Sequence, residues 1–403
     1  MKVLEINTVC KGSTGGIVCG ISRYLKQNNV ECLIAYGRGD VPNDVKAIKI
    51  GNKFSVALHG LIARFFDKQG FGSLLSTKKL IKQIKKYNPD VIHLHNLHGY
   101  YINVRILFEY LKDSKKEIFW TLHDCWPLTG HCCHFDYVGC DKWIHGCYNC
   151  KQKKAYPKSV GISNSKFNYK MKKKIFSSID SDKLTIITPS IWMKDQVGKS
   201  YLSKYKIEVI NNGINMEIFK HQNNNIKEQF GINNKKIILG VSSVWNTKKG
   251  FDSFIELSKI ISEEYKMVMI GLEKKQLKNL PSNIIGIQKT ENIQELVNWY
   301  NAANIYFNSS KEETQGLTTI EAISCGTKAI VYNKTAVPEM VNDKVGYIIE
   351  DIDEFMERLG NVGDIDDTSL KEYRKKYSDV SCFEKYYKIM VEKIVSVIKK
   401  ESN

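Results

Sequence analysis

The sequence predicts an α/β protein built as two successive doubly wound parallel sheets, and three observations carry that prediction. Short apolar runs alternate with amphipathic helical patterns almost throughout, which is the pattern of a βαβ series. The alternation comes as two series, parted by a polar stretch around 190–235 that contains NNGIN and HQNNNIKEQFGINNK. The length of 403 residues exceeds what one small core holds and suits two domains.

In the first half, strands are expected at KVLEIN (2–7), ECLIAYG (31–37), VIHLH (91–95), EIFWTLH (117–123) and LTIITPS (184–190). Each is a short apolar run in which β-branched or aromatic residues are frequent. Helical patterns fall between them near 17–28, 53–68, 75–87 and 103–113. In the second half, strands fit KIILGVSS (236–243), MVMIG (267–271), NIIGIQ (283–288), ANIYFNSS (303–310), TKAIVYN (327–333) and GYIIE (346–350). Helices near 250–263, 292–301, 317–325 and 351–359 alternate with them. The segment 381–403 is an amphipathic helix with a basic tail, expected to return to the first domain. The expected domains are thus 1–190 and 191–380, each with its ligand edge at the strand C-termini.

Composition narrows the function classes. With 42% hydrophobic and 26% charged residues the chain is an ordinary globular protein, and its 16 Phe, 21 Tyr and 6 Trp exclude wholesale disorder. The formal net charge is +17, and it is uneven: residues 1–200 hold 32 Lys/Arg against 15 Asp/Glu, whereas the remainder holds 28 of each. The first half is therefore expected to face something anionic, whether nucleic acid, phospholipid headgroups or a phosphate-bearing substrate. No run reaches the roughly 18 to 20 apolar residues that span a bilayer. The start, MKVLEINTVCKGSTGG, lacks the regions of a signal peptide, so a cytoplasmic location is expected. The 11 Cys are then expected as thiols or metal ligands rather than disulfides.

The first strand runs into CKGSTGGIVCG, where Gly12, Gly15 and Gly16 precede a helix. Such glycines let backbone amides approach a phosphate or sugar, though a plain strand-to-helix turn uses them equally. The spacing is not G-x-G-x-x-G, and the second strand ends in Tyr36, Gly37 and Arg38 with no acidic residue. A dinucleotide site, and with it a Rossmann oxidoreductase, is poorly supported.

The sharper feature is FNSSKEETQGLTTIEAISCGTKAIVYN (307–333), read as strand, loop, helix, glycine stop and strand. Glu313 lies in the loop, Gly316 opens the helix, Thr318 and Thr319 fall in its first turn, Glu321 lies on it, and the amides near Gly316, Leu317 and Thr318 are free. Amides at such a helix start form a diphosphate cradle, and carboxylates on either side can hold sugar and ribose hydroxyls. This segment, with its two Glu separated by seven residues, resembles the E-x7-E signature of the family-4 retaining glycosyltransferases. Other segments agree in order. IITPSIWMKDQV (186–197) and VINNGINMEIF (209–219) resemble the interdomain strand and Asn-Gly turn, and ILGVSSVWNTKKGFDSFIEL (238–257) resembles the donor-phosphate loop. TLHDCWPLTGHC (121–132) is similar to exopolysaccharide-type members, which include colanic-acid and capsule transferases.

The resemblance implies two Rossmann-like domains facing across a cleft (the GT-B fold). The N-terminal domain would bind the acceptor and the C-terminal domain a nucleotide-sugar donor. It implies that Glu321 holds the ribose hydroxyls, that Glu313 contacts the donor sugar, and that Lys249 neutralises the leaving diphosphate. His123 would lie near the reacting sugar. Many members carry an Arg where this chain has Ser243, so Lys249 would be helped by Lys248 and the helix amides. It also implies front-face transfer with retention, no metal for the chemistry, and a saccharide or lipid-diphosphate-linked acceptor at the inner face of the membrane, with no specific nucleic acid as partner.

VIHLHNLHG carries His93, His95 and His98 at a predicted strand end, with His93 and His95 on one face. A zinc pair and ordinary core or loop histidines both fit, and His95 with Gly15 and Gly16 is assigned to the acceptor side. Residues 125–150 hold six Cys. Cys147-x-x-Cys150 has chelate spacing, and Cys140 with Cys132 or Cys133 completes a four-thiolate structural zinc set, with reduced thiols and redox chemistry as the alternatives. KFSVALHGLIARFFDK (53–68) is an amphipathic helix, expected to pack on the sheet more readily than to lie in a membrane interface. KFNYKMKKKIF (166–176) with the preceding KQKKAYPK is the densest basic patch, fitting a solvated loop or attraction to anionic lipid. The charge and the Cys/His cluster leave a zinc-containing nucleic-acid-binding protein as the alternative function.

Overall fold

The computed structural model describes residues 1–402 and divides them into two compact units. The first unit is Met1–Asn211 together with the chain from Phe383 onward, and the second is Asn212–Cys382.

The first unit contains β1 (Lys2–Asn7), α1 (Gly12–Gln27), β2 (Glu31–Tyr36), β3 (Ala47–Lys49), α2 (Lys53–Phe66), α3 (Leu74–Tyr87) and β4 (Val91–Leu94). There follow α4 (Val104–Asp113), β5 (Glu117–Thr121), α5 (Lys142–His145), α6 (Ser165–Phe176), β6 (Leu184–Thr188), α7 (Ile191–Gly198) and β7 (Lys206–Val209). The seven strands form one parallel sheet in the order β3-β2-β1-β4-β5-β6-β7. β1, β4, β5 and β6 are buried on both faces or nearly so, which is why they read as continuous apolar runs. Trp120 of β5 anchors one face, packed between Phe108 and Phe176 at ring-centroid distances of 5.4 and 4.9 Å.

Helix starts follow local chemistry. Asn52 caps α2 in a capping box with Ser55, Asn103 accepts from the Ile106 amide before α4, and Ser190 accepts from the Met193 amide before α7.

Four sequence expectations change here. α1 begins at Gly12, so Gly15 and Gly16 sit in the helical first turn rather than in a loop before it. A Cβ on Gly15 would fall 2.6 Å from the Cys10 carbonyl carbon, so the residue is a close-approach position. β7, with its polar alternation KIEV, pairs with β6 and draws residues 191–211 into the first unit; the division falls after Asn211 rather than at 190. The basic stretch 166–176, for which a solvated loop is one of two readings of the sequence, is helix α6, which buries Asn168, Tyr169, Lys172, Ile175 and Phe176 at helical spacing. Finally, α2 does not bury its apolar stripe on the sheet: only His59 and Ala63 are buried, while Phe54, Leu58, Leu61, Phe65 and Phe66 are exposed.

The second unit contains α8 (Ile226–Gln229), β8 (Lys236–Val241), α9 (Phe251–Leu257), β9 (Tyr265–Ile270), α10 (Lys274–Leu277), β10 (Ile284–Ile287) and α11 (Ile293–Ala302). β11 (Ile305–Asn308), α12 (Leu317–Ser324), β12 (Ala329–Tyr332), β13 (Gly346–Ile349), α13 (Ile352–Leu359) and α14 (Asp367–Tyr377) complete it. Its parallel sheet has the order β10-β9-β8-β11-β12-β13, with a core on each face. The last helix, α15 (Asp379–Ser402), lays Phe383, Tyr386 and Met390 against Val3, Ile17, Ile21 and Leu25 of the first unit. Among the described residues, no helix is long and apolar enough to cross a membrane.

Candidate active site

In the second sheet the strand order reverses between β8 and β11, and ligands of such sheets sit at the strand C-termini of that switch point. Two loops meet there. After β8, the Asn246 side chain accepts from the Lys249 amide at 3.0 Å and shapes a tight turn over Thr247–Lys249. After β11, the Ser309 hydroxyl donates to Gly250 O at 3.1 Å and the Lys311 amide donates to Lys248 O at 2.8 Å. These bonds hold the loops together, and across them the Lys249 ammonium pairs with the Glu313 carboxylate. Both side chains remain 23% exposed, so the ion pair is open to an incoming ligand.

Gly316 takes φ +95°, a conformation that favours glycine, and releases the chain into α12. Leu317 and Thr318 form the helix's first turn, at its positive end. Thr318 Oγ1 accepts from the Tyr306 hydroxyl at 2.7 Å, and Asn308 Nδ2 donates to Thr319 Oγ1 at 2.8 Å, fixing the helix start over β11. Glu321 lies on the same helix and accepts from the Tyr300 hydroxyl at 2.7 Å. Burial pushes its carboxyl up to about 7, against the opposing hydrogen bond from Tyr300. Ser243 is exposed in the loop after β8, and Lys248 is half-buried beside Lys249. A separate cavity of about 530 Å³ opens at the other edge of this sheet, lined by His221, Lys236, Asn304 and Lys328. None of the sequence-assigned residues reaches it.

The first sheet reverses its order between β1 and β4. There the buried Glu5 of β1 stands in register with His93. Its carboxylate accepts from His95 Nε2 at 2.6 Å and from His93 Nδ1 at 3.2 Å, and His93 Nε2 meets the Thr121 hydroxyl at 2.8 Å. His95 Nδ1 lies 3.0 Å from His123 Nε2, the two rings stacked at 5.3 Å. Burial alone would raise the Glu5 carboxyl, but the imidazoles, His93 foremost, hold it down at about 2. Burial lowers His95 to about 4, with His93 adding and Glu5 opposing, and burial likewise takes His123 well below the ordinary histidine value. At neutral pH Glu5 is therefore ionised and both histidines are neutral. Hydrogen-bond polarity then fixes the tautomers. His95 donates from Nε2 to Glu5, so its Nδ1 accepts from His123 Nε2–H, which makes Nδ1 of His123 an acceptor nitrogen.

This chain of three residues was not legible in the sequence, because Glu5 meets His95 only through the pairing of β1 with β4. Nearby, His98 Nε2 lies 2.6 Å from Asp124 Oδ2, and its Nδ1 lies 3.1 Å from the Tyr156 hydroxyl. Burial favours the neutral Asp124 carboxyl, yet His98 and the Trp126 amide hold it at about 2. Two sets of ligand atoms lie mutually within 4.8 Å and have the composition of metal sites: Glu5, His93 and His95, and His98, Asp124 and Cys133.

None of the eleven cysteines forms a disulfide. Cys132, Cys140, Cys147 and Cys150 line one cavity of about 20 Å³. The Gly130 amide donates to Cys147 Sγ at 3.1 Å.

Residues 17–218 match the family described as Glycosyltransferase Family 4, and residues 222–378 match Glycosyl transferases group 1. The chain belongs to glycosyltransferase family 4. Among curated relatives, this family-4 chain is 26% identical over 229 residues to WcaC of Escherichia coli (strain K12), named for colanic acid biosynthesis glycosyl transfer. That match covers 54% of the chain and 55% of the relative, so it spans about half the length of each. Solved structures share the fold over nearly the whole chain. Sucrose-phosphate synthase from Thermosynechococcus elongatus superposes with a TM-score of 0.71 at 12% identity, covering 98% of this chain and 99% of that one. Anabaena Alr3699/HepE, solved with UDP-glucose, gives 0.64 at 13% identity, covering 97% and 100%. The family-4 chain thus has the two Rossmann-like units of the GT-B fold.

Proposed function

We propose that the protein is a retaining glycosyltransferase that moves a sugar from a nucleotide-sugar donor to a hydroxyl of a lipid-linked saccharide in cell-surface polysaccharide synthesis. The Lys249–Glu313 ion pair at the start of α12, on the switch point of the second sheet, is the observation that carries this reading. It brings a cation, a carboxylate and the positive end of a helix to one ligand edge, which suits a diphosphate esterified to a sugar. The solved HepE complex with UDP-glucose supports the donor class.

In this reading the bond between the anomeric carbon and the diphosphate oxygen breaks while the acceptor oxygen bonds to the same face. The departing oxygen takes the acceptor proton, so no separate carboxylate base is needed. Lys249, with Lys248, offsets the charge that grows on the leaving diphosphate, and the amides of Leu317 and Thr318 share that role. Glu313 accepts from sugar hydroxyls and Glu321 from the ribose. Ser243 contributes only a hydroxyl where many members place an Arg. On the first unit, His123, bonded through Nε2 to His95, is the residue placed near the reacting sugar. The chemistry calls on no metal, and no observation favours the nucleic-acid-binding alternative.

The test is transfer itself: the protein is incubated with nucleotide-sugars and a lipid-linked saccharide, and the product linkage is read by NMR. A product with the anomeric configuration of the donor is expected. Inversion would overturn the retaining mechanism, and release of sugar to water alone would overturn the transferase.

Membrane association belongs to the same proposal. The exposed stripe of α2 continues into Val160 and Ile162, whose amides bond to Arg64 O and Phe65 O, and Phe167 of α6 lies beneath Lys68. An apolar surface with Lys68 beside it suits the inner leaflet, where each Lys or Arg near an anionic surface adds about 1 kcal/mol. Replacing Leu61 and Phe65 with Gln removes two half-exposed apolar side chains and is expected to cut binding to phosphatidylglycerol vesicles about tenfold or more, measured by co-sedimentation. Unchanged binding would take the membrane away from this face.

A further inference from the structure

We infer that His131, Cys132, Cys147 and Cys150 form a structural zinc site, with Asp67 as the carboxylate that orients the histidine. His131 is buried at 3% exposure, and its Nδ1 is bonded to the Asp67 carboxylate, whose other oxygen accepts from the Asn164 amide at 2.9 Å. With Nδ1–H donating to Asp67, Nε2 carries the lone pair, and that atom is buried with no hydrogen-bond partner. Buried acceptors are seldom left so, because desolvation is not recovered. A carboxylate fixing one nitrogen while the other stays available is the arrangement of metal-ligating histidines.

His131 lines the same cavity of about 20 Å³ as the cysteines, which is room for a single small occupant. Cys147-x-x-Cys150 supplies a chelating pair, and Cys132 lies close enough to Cys150 for the two thiols to shift each other. The amide bond from Gly130 to Cys147 Sγ favours the thiolate against the burial that raises the thiol's pKa. Charge is also met. Three thiolates and a neutral imidazole around Zn²⁺ carry a net charge of −1. Lys172, 1% exposed and held by Trp126 O at 2.8 Å and Thr129 O at 3.0 Å, is pushed down to about 7 by burial, and Cys133, Cys147 and Cys132 oppose that shift, so thiolates here would hold it as the ammonium. Cys140 borders the same cavity and is as half-buried as Cys147 and Cys150, so Cys140→Ser is the variant that separates it from His131 as the fourth ligand. Among the described residues these donors share the cavity without the 4.8 Å mutual spacing of the two histidine sets, so the ion would draw them in. The site would tie the 126–150 segment to the end of α2, where Asp67 stands.

The test uses the full chain purified from zinc-supplemented cells without chelator. Elemental analysis is expected to find about one zinc per chain, and exchange with cobalt(II) alone is expected to give thiolate-to-cobalt bands of a three-sulfur, one-nitrogen site. Asp67→Asn, which keeps the side chain's size, is expected to weaken metal affinity about 10- to 100-fold in a chelator competition. His131→Cys, should His131→Ala not fold, is expected to retain the metal with a four-sulfur cobalt spectrum. Absence of stoichiometric metal, with every thiol titrating in the native state, would overturn the site. A His131→Ala protein with the parent's cobalt spectrum, alongside a Cys140→Ser protein that loses it, would overturn the histidine's part.

Discussion

Lys249→Ala is expected to lower kcat by about 10²- to 10³-fold, the scale of losing one preorganised donor to a charge that grows in the transition state. In the ligand-free chain the ammonium is paired with Glu313. Both groups are partly exposed, so the pair itself contributes little to stability, and the folded state should tolerate the change within about 1 kcal/mol. The donor's ground-state charge is already met in part by the start of α12. The loss should therefore fall on kcat more than on KM. Lys248→Ala provides the comparison: its main chain accepts from Lys311 whatever side chain it bears, and a much smaller kinetic effect is expected. Steady-state kinetics on both variants check this. Equal effects would mean that the basic loop acts through bulk charge rather than through Lys249.

Glu5→Gln is expected to reduce kcat about 10- to 100-fold, although Glu5 touches neither substrate in the proposed reaction. A carboxylate can accept from two imidazoles at once, whereas an amide must donate through one of its two arms. The amide introduced by Glu5→Gln would therefore donate to His95 or His93. Donation to His95 Nε2 reverses the chain, so that His95 Nδ1–H donates to His123 and Nδ1 of His123 becomes a donor. A positioning role of this kind shows in the pH profile.

In the parent protein the acid limb of kcat should follow protonation of the His95–His123 pair, His95 lying at about 4. With the Glu5 charge gone, imidazolium forms less readily and the limb should move to lower pH. A variant that loses activity uniformly at every pH would reduce Glu5 to a packing residue. The same groups shape acid stability. His95, lowered from 6.5 to about 4, contributes stability present above 6.5 and lost as pH falls through 4. Glu5, lowered from 4.5 to about 2, contributes stability present above 4.5 and lost as pH falls through 2.

The two parallel sheets were legible because strands buried on both faces leave unbroken apolar runs, as VIHL and LTIIT do. β3 and β7 escaped because an edge strand of three or four residues with polar alternation leaves no such run. α6 was hidden by its lysines, one of which, Lys172, is buried over the Trp126 ring. Of the site, the residues close in sequence were readable: Glu313, Gly316, Thr318 and Glu321 announce a loop and helix start. Their partners were not. Tyr300 reaches Glu321 from α11, Glu5 reaches His95 across 90 residues, and Asp67 reaches His131 across 64. Such contacts depend on strand register and loop paths that residue spacing does not encode. The exposed face of α2 was misjudged for a related reason, since an amphipathic stripe states that a helix has an apolar face and not what covers it.

In the proposed reaction the second unit binds a nucleotide-sugar at the β8–β11 switch point with Glu321 on the ribose. The most direct measurement is a thermal-shift panel of nucleotide-sugars on the parent protein and on Glu321→Ala. A cognate donor at 100 times its Kd stabilises the folded state by about 2.7 kcal/mol. One donor of the panel is expected to raise the parent's Tm by several degrees, and Glu321→Ala is expected to lose that rise while remaining folded. A panel in which no nucleotide-sugar shifts the parent, or a Glu321→Ala protein that responds as the parent does, would contradict the account.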